Sequence, residues 1–154
     1  MLSLVIAVTP LTAEQEPEID IQELLQTFAR EGSDSNMLLR VIHLNDVTTN
    51  ALFDPPQKFV LRAQARNQTM FFVTGVALKD IELDMDFQLV ETAALGQQTY
   101  RVNSTNWENM ENGARLSEGE EFSGLLSLEN LLPLRSRMAL VQGNFLRFEW
   151  EFAP

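Results

Sequence analysis

The spacing of hydrophobic positions changes once along this chain. Ile21, Leu24, Leu25 and Phe28 recur every three or four residues, which puts them on one face of a helix. Pro17 suits a first helical turn, Glu18 and Asp20 sit where the helix dipole favours acids, and Gly32 is a natural stop. The spacing predicts a helix over 17–31, followed by a polar loop over 33–36.

From residue 37 onward the pattern is that of strands. Residues 37–44 are rich in strand formers, and Asp54-Pro55-Pro56 is a rigid break. Phe59, Leu61, Ala63 and Ala65 alternate with Val60, Arg62, Gln64 and Arg66, which reads as another strand. Residues 69–78 are apolar enough for a central strand covered on both faces. Ile81, Leu83, Met85, Phe87 and Leu89 alternate with Glu82, Asp84, Asp86 and Gln88, the clearest period-two signal in the chain. Gly96 marks a turn, and residues 99–103 form a further strand. Residues 104–119 are polar and read as a long loop, a feature that is often functional. Strands are expected over 121–128, 135–142 and 145–152, with a tight turn at Gly143-Asn144.

One helix followed by about seven to nine short strands predicts a mainly β fold. The expected architecture is an antiparallel β-sandwich, with the immunoglobulin-like arrangement as one form, plus one N-terminal α-helix. A β-barrel is the alternative, because sequence does not report closure. The chain divides into residues 1–13, a helix and loop over 14–36, and a sandwich over 37–154, a single domain overall.

Residues 1–13 have two readings. As an export signal, the apolar run 2–8 is short, Ala13 stands at a cleavage position, and acids follow it. No Lys or Arg precedes Arg30, so the basic start of such a signal is missing. As a first strand, Leu4, Val5, Ile6 and Val8 would be buried and Pro10 would end the run. The later strands suffice for a sandwich, so a periplasmic or extracellular address is preferred to a cytoplasmic one.

Charge narrows the partners. The net charge is −11, from 22 acids against 11 bases, and only Lys58 and Lys79 are lysines. Such a surface repels phosphate backbones, which argues against nucleic acid. No apolar run approaches the roughly 18 residues of a membrane-spanning helix, so an integral membrane protein is not expected.

Candidate chemistry is sparse. With no cysteine, disulfides, thiolate catalysis and iron–sulfur clusters are excluded. His43 is the single histidine and lies in an apolar strand, where a structural role is expected. No nucleophile elbow, P-loop or dinucleotide fingerprint occurs, so no catalytic residue is assigned and no cofactor is expected. Glu82, Asp84 and Asp86 fall on one strand face, roughly 6.5–7 Å apart. They are the only calcium candidates, but along one strand they do not converge as calcium requires. A solvated face offset by Arg62 and Arg66, or by Arg135 and Arg137, explains them more simply. The sequons at Asn67 and Asn103 carry no weight without a eukaryotic secretory context.

Trp107, beside Asn106 and Asn109, has the equipment to grip a protein or stack on a sugar, and Tyr100 could assist it. Trp150, in step with Phe148 and Phe152, belongs to the core. The expected function is therefore a non-enzymatic binding or assembly module that docks a protein through a sheet edge or the 104–119 loop. A carbohydrate-binding module using Trp107 and Tyr100 is one alternative. A carboxylate hydrolase using Asp84 or Asp86 with Glu149 is the other.

Overall fold

The computed structural model describes residues 20–132, 137–143 and 146–151. Residues 1–13, with their alternative readings as signal or strand, lie outside the described residues, as does Arg135.

Helix α1 (Ile21–Phe28) starts at Asp20, whose carboxylate accepts the N–H groups of Gln22 and Glu23. Such a cap contributes about 1 kcal/mol. The helix ends three residues short of the expected 31, because Ala29 is extended and opens strand β1 (Ala29–Ser33). The Arg30 guanidinium turns back to donate to the carbonyls of Gln26, Thr27 and Ala29. These are among the carbonyls a helix end leaves without intrahelical partners.

Strand β2 (Met37–Leu44) pairs antiparallel with β1 and leads into two helices that the alternation did not predict. The first, α2 (Asp46–Leu52), is set by a capping box in which Asn45 and Thr48 exchange hydrogen bonds. The second, α3 (Gln57–Ala65), replaces the strand expected over 59–66. Apart from Phe59 and Val60 its residues are strong helix formers, and Leu61 and Ala65, one turn apart, supply the buried contact. Phe59 points outward, with the Arg62 guanidinium 5.4 Å from its ring centre.

The remaining elements are β3 (Thr69–Ala77), β4 (Ile81–Glu82), β5 (Phe87–Ala93), β6 (Gly96–Arg101), β7 (Asn103–Glu108), β8 (Arg115–Leu116), β9 (Glu121–Leu128), β10 (Arg137–Gln142) and β11 (Leu146–Glu151). They form two main antiparallel sheets, ordered β1-β2-β3-β9-β7 and β11-β10-β5-β6, plus the small pair β4-β8. The fold is mainly β, with three helices and no closed barrel among the described residues, and the sheets stack as a sandwich.

Two corrections concern the middle of the chain. The polar stretch expected as one long loop over 104–119 contains edge strand β7 and the short β8. Every residue of β7 is exposed, so it carries none of the apolar alternation that marks a half-buried strand. The expected continuous strand over 81–89 is interrupted. Leu83 and Met85 are buried while Asp84 and Asp86 are exposed, so the alternation is real. The Met85 N–H, however, bonds the Asn112 side chain, and the Asp86 N–H bonds the Asp84 carboxylate.

The core fills the space between the two main sheets. Leu39, Val41, Phe71, Val73, Phe122 and Leu126 face Leu89, Met138, Leu140, Phe148 and Trp150. One end is sealed by aromatic rings. Phe71 lies 5.0 Å from Trp150 and 5.5 Å from His43, and Phe28 stacks over His43 at 6.3 Å. Trp150, placed in the core by its spacing, is fully buried and donates its indole N–H to the Phe28 carbonyl at 2.9 Å. Arg30 ties β1 to β11 through the Glu149 carbonyl at 2.8 Å and lies over the Trp150 ring.

Gly75, midway along β3, shows how tightly this core is filled. A Cβ there would lie 2.2 Å from Phe122 and 2.7 Å from Leu39, both buried. Gly75→Ala is expected to destabilise the fold by about 1–3 kcal/mol, the usual cost of overpacking. Urea unfolding of the two proteins measures this as a lower midpoint for the variant.

Candidate functional site

Residues of β2 and β3 alternate between two environments. Odd-numbered positions enter the sandwich core, while Ile42, Leu44, Met70 and Phe72 face the opposite way. Helices α2 and α3 cover part of that outer face, where Leu44, Leu61, Ala65 and Met70 form a second core with Phe53, Phe72 and Leu125. The helical hairpin stops at Phe53 and Phe72, and the rest of the face is left open.

The strand registers define what the open part presents. Glu31 of β1 pairs with Arg40 of β2, Arg40 with Thr74 of β3, Thr74 with Ser123 of β9, and Ser123 with Glu108 of β7. These five residues form one row across the whole sheet. The next row runs Leu38, Val76, Glu121. Together with Phe72 the two rows line a hollow of about 330 Å³. Leu38 on its floor is 44% exposed.

Trp107 packs against Phe72, which lines this hollow. A bulge in β7 between Asn106 and Glu108 breaks the pairing with β9 at this residue. Its ring lies 5.6 Å from Phe72, edge to face, and 5.9 Å from Phe53, and it remains 43% exposed. The aromatic group expected to contact a partner is thus a shelf between the helical hairpin and the open sheet face.

Asn106 and Asn109 lie beside it and help build the loop. Asn106 Oδ1 accepts the Met110 N–H at 2.8 Å, and Asn106 Nδ2 donates to Glu111 at 3.3 Å. Asn109 adopts a left-handed backbone, φ 56°, and donates to the Glu121 carbonyl at 3.2 Å. These bonds drive Met110 into the core under Gly124, where an added Cβ would lie 2.1 Å from the Met110 methyl.

Tyr100 is not part of this patch. It belongs to β6 in the other sheet, packs against the sandwich core, and donates to Glu91 at 3.3 Å. Burial, reinforced by the Glu91 carboxylate, holds its phenol above the usual range.

The acids considered for calcium or hydrolysis are dispersed. Glu82 sits opposite Arg115 in the β4–β8 pair, and Asp84 accepts its bond from Asp86. Glu149 takes a 2.7 Å bond from Arg147. Among the described residues no three His, Cys, Asp or Glu side chains converge as a metal site. The arginines expected to offset the acids serve elsewhere: Arg66 pairs with Asp46, and Arg137 with Glu151. Each exchange raises the arginine above its ordinary value through the carboxylate hydrogen bond, and Asp46 is lowered by Arg66.

A second hollow, about 540 Å³, lies where α1 and α2 meet the end of β2, lined by Phe28, His43, Leu44, Val47, Ala65 and Leu132. Asn45, His43, Asp46 and Arg66 on its wall bond within the chain. Asn45 Oδ1 caps α2, so its amide nitrogen faces His43 Nδ1, at 3.2 Å. That contact requires a lone pair on Nδ1 and places the ring proton on Nε2. Burial lowers the His43 pKa to about 4, so the ring is neutral at physiological pH.

No protein-family model, curated protein or solved structure matches this chain. No helix among the described residues is long and apolar enough to cross a membrane.

The buried imidazole has a consequence for acid stability. Its folded pKa of about 4 lies below the unfolded value of 6.5, so the unfolded chain binds the extra proton first. Stability is unaffected above pH 6.5 and falls as pH drops toward 4, by on the order of 3 kcal/mol. His43→Gln, neutral at every pH, is expected to lose less stability over that window. Urea unfolding of both proteins at pH 7, 5.5 and 4 tests this, with the carboxylate contributions common to both.

Proposed function

We propose that this protein is a non-catalytic docking module. Its binding surface is the uncovered half of the outer sheet face, bordered by edge strand β7. The observation that carries this reading is Trp107, held half-exposed against Phe53 and against Phe72 of the hollow's lining. A large aromatic ring positioned by packing loses little freedom when a partner covers it, which is why tryptophan is enriched at binding hot spots. Exposed Leu38 and half-buried Val76 extend the apolar surface, and Thr74 and Ser123 add hydroxyls in the adjoining row. An apolar centre with a polar rim is the usual composition of a specific protein interface.

The sandwich itself lends support only as a frame, since one fold hosts many functions. The sugar-stacking alternative draws no help from Tyr100, which packs toward the other sheet's core side. The hydrolase alternative draws none from Glu149, whose carboxylate is held by Arg147.

A photo-crosslinking residue at Val76 is expected to trap a defined partner in the native cells. The same residue at Val60, exposed on α3, is expected to trap none. Trp107→Asp in the Val76 protein should reduce that product at least tenfold while leaving the circular dichroism spectrum unchanged. Equal trapping with and without Trp107 would remove the hollow from the binding surface.

A further inference from the structure

The hollow carries an uneven charge. At one end Glu31 and Arg40 neutralise each other, with Arg40 Nε 2.8 Å from the Glu31 carboxylate. At the other end Glu108 and Glu121 are exposed, and among the described residues neither has an ion-pair partner. Glu111 stands close by, bonded to Asn106. Between the ends the floor is aliphatic and hydroxylic, from Leu38 and Val76 to Thr74 and Ser123. The surface therefore offers apolar contact along its length and two uncompensated carboxylates at its β7–β9 end, where Glu108 directly follows Trp107.

We infer that the occupant of this hollow is a basic, aliphatic segment of another protein, with lysine or arginine side chains meeting Glu108 and Glu121. The inference rests on the docking function proposed above and adds the chemistry of the partner. An aliphatic side chain covers Leu38 and Val76, while the stem of a long basic side chain lies along Trp107 and its charge reaches the carboxylates. Arginine suits this place especially, since its guanidinium both stacks on an indole and pairs with carboxylate. A second copy of this chain fits poorly. Two chains that each carry a net charge of −11 repel one another. The bulge at Trp107 also interrupts the regular edge that two β7 strands would need for pairing.

The test uses the full chain and a defined probe. The probe is a short peptide alternating valine with lysine or arginine, and its control carries glutamate at each charged position. Isotope-edited NMR titration is expected to show the basic peptide shifting the amides of Thr74, Val76, Ser123 and Glu108. Glu108→Gln combined with Glu121→Gln is expected to weaken it at least tenfold, and so is raising NaCl from 50 to 500 mM. Equal binding of the acidic control, shifts located elsewhere, or full affinity in the double variant would overturn the inference. So would a dimer in sedimentation that Trp107→Asp dissolves, which would make the occupant a second copy. If the Val76 crosslink succeeds while the basic peptide fails, the docking surface stands and its charge preference falls. If both fail, the surface itself is wrong.

Discussion

Everything in this molecule follows from β3 being apolar on both faces. Met70, Phe71, Val73 and Ala77 are all buried, yet alternate residues point in opposite directions. A strand of this kind needs cover above and below. The four-stranded sheet supplies one cover and the α2–α3 hairpin the other. The hairpin's two helices, seven and nine residues long, are too short to roof a five-stranded sheet. They bury Leu44 and Met70, partly cover Phe72, and leave Thr74 and Val76 outside. The open hollow is the remainder of an incomplete third layer.

Polar groups fix where that layer begins. Thr48 and Thr49 are fully buried, and their hydroxyls bond back to His43 and Asn45. With Asn45 capping α2, the turn out of β2 has little freedom, and the hairpin is held over one end of the sheet. The Asp46–Arg66 pair joins the start of α2 to the end of α3 at the surface, where such pairs contribute modestly. Buried hydrogen bonding, more than the surface ion pair, sets the boundary between covered and open sheet.

The parts of the fold readable from sequence were those with strong one-dimensional signals. Residues 37–44 and 121–128 are strands with the expected bounds, and 69–78 differs by one residue. Trp150 is in the core, as its spacing with Phe148 implied. Helix α3 was misread because Phe59, Leu61, Ala63 and Ala65 also fit a period of two, while its helix-forming composition pointed the other way. Edge strand β7 was misread because exposure on every side removes the alternation that marks a strand. Trp107 was singled out for its residue type and polar neighbours. The hollow beside it could not be, because its row is assembled from five strands whose members lie up to 92 positions apart, from Glu31 to Ser123. Register across a sheet is a property of pairing, and no local window of sequence contains it.

The placement of β9 between β3 and β7 also bears on how the chain reaches this state. The hairpins β1–β2, β5–β6 and β10–β11 join neighbours and can close early. Phe72, by contrast, pairs with Leu125, about fifty positions later. Closing so long a loop costs entropy before any contact repays it, and folds rich in such pairings assemble in milliseconds to seconds. During that interval one side of β3 has no neighbour, and its apolar residues form an adhesive ribbon. The net charge of −11 opposes contact between such chains by mutual repulsion.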